Sequence, residues 1–169
     1  YVPFGYLFLK EPPLENIGIP DFRTVASQKS SKQSPELIDI IAKCKNRQEW
    51  YKDFLLENDA ESLEFVGAAS LSDPPEGVAL EMRRTIDYNV QGVLRPSKDF
   101  EKTLRDLINK AEDIGILVMV SSYAGKYTGR TLDVDEFRGF ALSDKYAPLI
   151  FINGRDAKAA QIFTFAHEL

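Results

Sequence analysis

The sequence predicts an α+β domain with a helical N-terminal half, then a small mixed or antiparallel sheet, then one further helix. From Pro35 to Gly115, apolar residues recur every three or four positions, as in amphipathic helices. Three short β-prone runs follow from Ile116, and residues 157–169 return to helical spacing. With 169 residues, 44% of them hydrophobic, the chain can bury one sizeable core.

Residues 1–34 are predicted to be an extended connector that precedes a domain spanning residues 35–169. Prolines lack an N–H group and disfavour helical backbone in the residue before them; this segment contains Pro3, Pro12, Pro13 and Pro20. The run 1–9 is too apolar for a free linker. We expect it to dock on the domain surface as a strap; alternatively, its aromatic residues face a further domain upstream.

Capping and stop residues predict three helices in the first half of the domain. Ser34 is a good N-cap ahead of Pro35, so the first helix should run to about Asn58. A second helix should follow residues 73–75, and a third should extend from a cap at Ser97 to Gly115. Trp50 and Tyr51, on the first helix, are interpreted as packing residues of the core or of an interdomain contact.

The three β-prone runs are 116–120, 137–142 and 148–152, each bounded by Gly, Asp, Asn or Pro. The final helix carries two sets of residues at helical spacing, namely Ile162, Phe165, Ala166 and Leu169, and Phe163 with His167. Asp156 is placed to cap this helix.

Composition excludes several function classes. A net charge of -5 and a pI near 5.0 argue against a broad basic surface for nucleic acid. The single cysteine, Cys44, cannot form a disulfide framework or a thiolate zinc cage, and is interpreted as a small buried apolar residue. Since no signal peptide and no apolar run of about 18 residues occurs, we expect a cytoplasmic protein without a membrane span.

His167 is the only histidine in the chain, and Glu168 follows it directly. A helix with the pattern His-Glu-x-x-His places two imidazoles on one face, where both can bind zinc, and the glutamate can act as general base. Here the pattern stops at His-Glu-Leu. On these residues alone, the favoured interpretation is a histidine at a helix end beside a solvated glutamate.

The run FRGFALSDKYAPLIFINGRDAKAAQIFTFAHEL, residues 137–169, closely resembles the stretch that leads into the zinc helix of ImmA/IrrE-type metallopeptidases. The N-terminal segments PFGYLFLKEPP and PDFRTV resemble the connector that joins a helix-turn-helix DNA-binding domain to the peptidase domain in many members of that family. Because both ends match in order, the resemblance covers essentially the whole chain.

The resemblance implies a zinc endopeptidase that cuts a regulatory protein such as a transcriptional repressor. His167 would be a metal ligand and Glu168 the catalytic base. A second histidine and an acidic third ligand would lie beyond Leu169, so these residues alone are expected to be an inactive fragment that binds zinc weakly. DNA would be bound only through an upstream domain. The alternative is a non-catalytic regulatory or interaction module with a peptidase-like fold.

In a zinc peptidase of this plan, an edge strand beside the metal helix can pair with an extended substrate. The candidate for that edge is the run Leu149, Ile150, Phe151, Ile152 and Asn153, and the alternative is an internal core strand. Asn153 is also expected to shape the turn into the last helix. The fragment is expected either to self-associate or to be less stable than its parent, since Phe163, Phe165 and Leu169 would be left partly uncovered.

Overall fold

The computed structural model describes residues 33–88, 99–125 and 129–169, so most of the predicted connector 1–34 lies outside the described residues. Its elements in chain order are α1 (Pro35–Glu57), α2 (Pro75–Thr85), α3 (Phe100–Asp113), β1 (Leu117–Ser121), β2 (Gly139–Leu142), β3 (Leu149–Asn153) and α4 (Lys158–Glu168). Helices occupy the first half, strands follow, and a helix comes last. The predicted α+β class is confirmed.

The sheet is mixed, with the strand order β1-β3-β2. β3 pairs parallel with β1 and antiparallel with β2. All five residues of β3 are buried. The edge-strand interpretation of Leu149–Asn153 is therefore wrong: β3 is the central strand of the described sheet. Its four consecutive apolar residues, 149–152, are typical of a strand covered on both faces.

α1 covers one face of the sheet. Its buried residues, Leu37, Ile40, Ile41 and Cys44, pack in one cluster with Phe137, Phe140, Leu149 and Phe151. The rings of Phe140 and Phe151 stack with centroids 5.1 Å apart. Polar contacts hold the C-terminal half of α1 to the segment between β2 and β3, because Gln48 donates to the carbonyls of Leu142 and Ala147.

α3 and α4 cover the opposite face. Successive side chains of a strand point to opposite sides, so Ile150 and Ile152 turn away from α1. They join a second cluster that also holds Leu104, Leu107, Ala111 and Phe165. The sheet is thus a middle layer between helices, and Phe165, which was expected to be uncovered, is fully buried.

Helix ends follow the predicted signals only in part. Ser34 caps α1, and its Oγ accepts a hydrogen bond from the Leu37 N–H at 3.1 Å, as predicted. The predicted Ser97 cap is wrong and lies outside the described residues: Asp99 caps α3 by accepting from the Lys102 N–H at 3.0 Å. Gly115 follows the end of α3 with φ +94°, a conformation that favours glycine.

The aromatic residues near the end of α1 do not enter the core. Trp50 is 69% exposed and Phe54 is 48% exposed. The two rings stack with centroids 6.2 Å apart, and Tyr51 stacks on Phe54 at 6.3 Å. The core interpretation of Trp50 is therefore wrong for the described residues, because most of the side chain is accessible to solvent. Packing against another domain stays a prediction.

Candidate active site

A short turn connects β3 to α4, and Asn153 holds it in place. The Asn153 side chain is buried; its Nδ2 donates to the Phe137 carbonyl at 3.1 Å, and its Oδ1 accepts from the Arg155 N–H at 3.1 Å. At the next position, the Gly154 N–H donates to the Ser121 carbonyl at 2.9 Å. Asn153 therefore shapes the turn as expected, and the turn is anchored to the ends of two strands.

Gln161 stabilises the start of α4 from inside the core. Its side chain is fully buried, and Nε2 donates to the carbonyls of Asp156 at 2.6 Å and Gly154 at 3.2 Å. The predicted cap at Asp156 is wrong: Ala157 is the N-cap residue, and Asp156 Oδ1 accepts from the N–H of Ala157, which lies before the first helical residue. Sequence reasoning missed Gln161, although a lone amide beside the apolar positions of this helix was a usable signal.

Gly139 allows α4 to lie directly on β2. A Cβ atom at this position would be 2.5 Å from Thr164 Cγ2 and 2.7 Å from the Phe151 carbonyl oxygen. It would also be 3.8 Å from Glu168 Cγ, so the side chain of Glu168 passes beside Gly139. Sequence reasoning treated Gly139 only as part of a β-prone run. The close approach of helix and strand depends on two distant segments and has no local signature.

The structure separates the two predicted site residues by their surroundings. His167 is exposed, and it lies one turn after Phe163, whose side chain is 60% exposed. Glu168 is half-buried beside β2. Adjacent helical residues point about 100° apart, which accounts for the difference. His167 is accessible from solvent, and Glu168 is held at the border between helix and strand.

β2 presents backbone groups at the edge of the sheet nearest Glu168. The Asn153 N–H donates to the Arg138 carbonyl, and Phe140 lies opposite Phe151 in the register. Since antiparallel residues alternate, the N–H and C=O groups of Gly139 and Ala141 point away from β3. No strand in the described ranges pairs with that side. The edge beside α4 is therefore β2, and not the predicted β3.

The described residues do not complete a zinc site. They contain no group of three or more His, Cys, Asp or Glu side chains arranged to hold a metal ion. Catalytic zinc usually has three protein ligands and a water, and His167 supplies one nitrogen donor of a suitable kind. Cys44 cannot add a thiolate, because burial raises the pKa of its thiol to about 12 against the opposing charges of Arg47 and Lys43.

Comparisons with protein-family models, curated proteins and solved structures found no match to this chain. In the parts of the chain that the structure describes, every helix is too short or too polar to cross a membrane.

Proposed function

We propose that residues 35–169 form the N-terminal part of a zinc-dependent endopeptidase domain that cleaves a regulatory protein, such as a transcriptional repressor. His167 is the first metal ligand and Glu168 the general base. One observation carries the proposal: α4 places the His-Glu dipeptide beside a strand whose outward backbone groups lie at the sheet edge, with Glu168 next to Gly139.

The edge of β2 is suited to hold an extended substrate. A peptide added to this edge would exchange hydrogen bonds with the N–H and C=O groups of Gly139 and Ala141. The side chain of Glu168 lies beside Gly139, so a peptide paired with this edge would lie close to that carboxylate. A peptide bond and a carboxylate would then share the same small region, as orientation-dependent catalysis requires.

Glu168 is the residue that moves the proton. A carboxylate beside the bound peptide accepts a proton from the attacking water and returns it to the leaving amine. A zinc ion bound by His167 and further ligands would supply Lewis acidity at this position. Since the described residues offer one imidazole, the proposal requires two more ligands from residues outside these 169, and this chain alone should bind zinc weakly and be inactive.

The test begins with the protein purified from its native cells. Its intact mass shows whether the protein has more than these 169 residues, and metal analysis gives the number of zinc ions per chain. We expect a mass above that of the 169 residues, about one zinc per chain, and hydrolysis of fluorescently labelled casein. His167→Ala should lose zinc and activity, Glu168→Gln should lose activity and keep zinc, and the exposed Lys158→Ala control should keep both.

Two results would refute the proposal. One is a protein with residues beyond Leu169 that binds no zinc. The other is a His167→Ala variant that retains both zinc and hydrolysis.

A second candidate function is a non-catalytic interaction module. The observation that favours it is the exposed aromatic row of Trp50 and Phe54 on α1, which the core does not use. A protein without zinc that keeps its regulatory effect in Glu168→Gln would support this candidate over the peptidase.

A further inference from the structure

The outer edge of β1 is a second open edge, on the opposite side of the sheet from Glu168. The Leu117 N–H donates to the Pro148 carbonyl at 2.8 Å, and the Ser121 carbonyl accepts from the Gly154 N–H. Residues 117, 119 and 121 therefore bond towards β3, and the N–H and C=O groups of Val118 and Val120 point outward. Within ranges 33–88, 99–125 and 129–169, no strand pairs with Val118 and Val120 on this side. The open part of the edge ends directly after β1, where the Ser122 carbonyl accepts from the Leu132 N–H and Tyr123 forms an antiparallel bridge with Thr131.

A cleft of about 350 Å³ lies beside this edge, with walls from two helices on opposite faces of the sheet. On the α1 face the wall consists of Arg47, Trp50 and Tyr51. Arg47 Nη1 lies 3.8 Å from the sulfur of Met119, so its charged group is close to the strand. On the α3 face the wall includes Glu112. The two faces of the edge therefore carry opposite charges.

An extended peptide matches these features. Its backbone would pair with Val118 and Val120, and its side chains would alternate between the α1 and α3 faces. Side chains turned to α1 would meet a guanidinium and an exposed indole, which favour carboxylates and aromatic rings. Side chains turned to α3 would meet Glu112, which favours lysine or arginine.

We propose that the β1 edge is a docking site for an extended peptide with acidic or aromatic residues on one face and basic residues on the other. The site goes beyond the proposed peptidase function, because it uses the opposite edge and none of the residues near α4. It fits a tethering segment of a partner protein and performs no chemistry of its own.

Charge also argues against a second copy of this chain at the same edge. If two β1 strands paired antiparallel about a two-fold axis at Met119, the same face of each sheet would adjoin. Both Arg47 side chains would then lie together on one face, and both Glu112 side chains on the other. Like charges that lie opposite each other on paired strands are destabilising. A peptide with acidic or aromatic residues on one face and basic residues on the other is therefore the better match.

The experiment compares two blocked pentapeptides of identical composition. Glu-Lys-Tyr-Lys-Glu places its acidic and aromatic residues on one face and its basic residues on the other, whereas Glu-Glu-Tyr-Lys-Lys mixes the charges on both faces in any register. Binding is followed by amide shifts in two-dimensional NMR. We expect the first peptide to bind at least about tenfold more tightly, a difference of ~1.4 kcal/mol, with the largest shifts at 117–121.

Variants test the backbone and the charges separately. Val120→Pro removes one outward N–H and should abolish binding, whereas Val120→Thr keeps that N–H and should bind normally. Arg47→Gln combined with Glu112→Gln should remove the preference between the peptides. This double variant keeps the test decisive even if the proline variant does not fold, which circular dichroism will show.

Three results would overturn the proposal: equal affinity for both peptides, no shifts within β1 with either peptide, or a concentration-dependent dimer that Val120→Pro dissociates. The last would show that a second copy occupies the edge. It would leave the peptidase proposal untouched, since zinc binding and hydrolysis depend on α4.

Discussion

The two edges of the sheet differ in the helices that lie behind them. At the β2 edge, α4 packs so closely that Gly139 leaves no room for a Cβ atom, and Glu168 lies at the border. At the β1 edge, α1 and α3 stand apart and leave a cleft lined by Arg47, Trp50 and Glu112. The β2 edge offers backbone groups beside the Glu168 carboxylate. The β1 edge offers backbone groups between the charged side chains of Arg47 and Glu112.

Under the two proposals, this difference would give the two edges of one small sheet different roles. Tight packing would fix the position of the Glu168 carboxylate, which catalysis by orientation requires. The wider cleft with exposed side chains would discriminate among peptides by charge and tolerate side-chain substitution. The comparison therefore predicts that substitutions near β2 and α4 lower stability strongly, and that substitutions in the cleft of β1 hardly change it.

Gly139→Ala should have the largest effect. The added methyl group would be 2.5 Å from Thr164 Cγ2 and 2.7 Å from the Phe151 carbonyl oxygen. Relief of the second contact requires displacement of backbone atoms of the central strand, which is energetically unfavourable. Overpacking of this kind costs about 1–3 kcal/mol or more. Chemical denaturation should show this loss in the free energy of unfolding, and α4 should be displaced from β2.

The control for Gly139→Ala is Gly77→Ala on α2, where an added Cβ atom would meet nothing within 4 Å. That variant should be neutral or gain up to about 1 kcal/mol, because alanine favours helix more than glycine does. Equal stability of the two variants would show that α4 does not lie on β2 as closely as the structure has it.

Gln161→Ala should have the next largest effect. It removes two hydrogen bonds to the carbonyls of Gly154 and Asp156 and leaves those carbonyls without this donor. Loss of buried hydrogen bonds costs about 1–3 kcal/mol. The control Arg105→Ala, an exposed change on α3, should change the free energy of unfolding by less than about 0.5 kcal/mol. If both variants have the same free energy of unfolding, the buried Gln161 amide does not hold the turn before α4.

The sequence predicted elements better than it predicted their arrangement. Ser34, the change of periodicity at Ile116 and the apolar run of β3 are local signals, and each led to a correct element. The sequence of β3 alone does not show that the strand is central, because a buried apolar run has the same pattern whichever strands pair with it. For the site, the dipeptide His167-Glu168 was visible, but its contact with β2 depends on packing over long separations.

The Lys52–Asp144 ion pair holds α1, the wall of the β1 cleft, to the segment after β2. Lys52 Nζ lies 2.6 Å from Asp144 Oδ2. Burial tends to raise the pKa of Asp144, but the hydrogen bonds from Lys52 and from the N–H groups of Tyr146 and Ala147 outweigh it, and the pKa is lowered. The pair therefore stabilises the fold above the usual aspartate pKa, and its contribution fades as the pH falls through the lowered value.

Asp144→Asn should accordingly lower the melting temperature at pH 7 by about 1–3 °C, the scale of a partly exposed ion pair. The difference from the parent protein should shrink in acid, where Asp144 becomes protonated in both states. Melting curves from pH 7 down to about pH 2 check this. Asp106→Asn, an exposed change on α3, serves as the control. A difference in melting temperature that stays constant in acid would show that the ion pair does not contribute to stability.

Trp50→Ala should have the smallest effect on stability and thereby separates folding from recognition. The side chain is 69% exposed and stacks on Phe54, one helical turn further along α1. Exposed substitutions change the free energy of unfolding by about 0.5 kcal/mol or less, and Leu71→Ala, at another exposed apolar position, is the matched control. Trp50→Ala should nevertheless weaken binding of the peptide Glu-Lys-Tyr-Lys-Glu, whereas Leu71→Ala should not. A large loss of stability in Trp50→Ala would mean that this aromatic residue belongs to a packed contact, and the β1 cleft would then be no open recognition site.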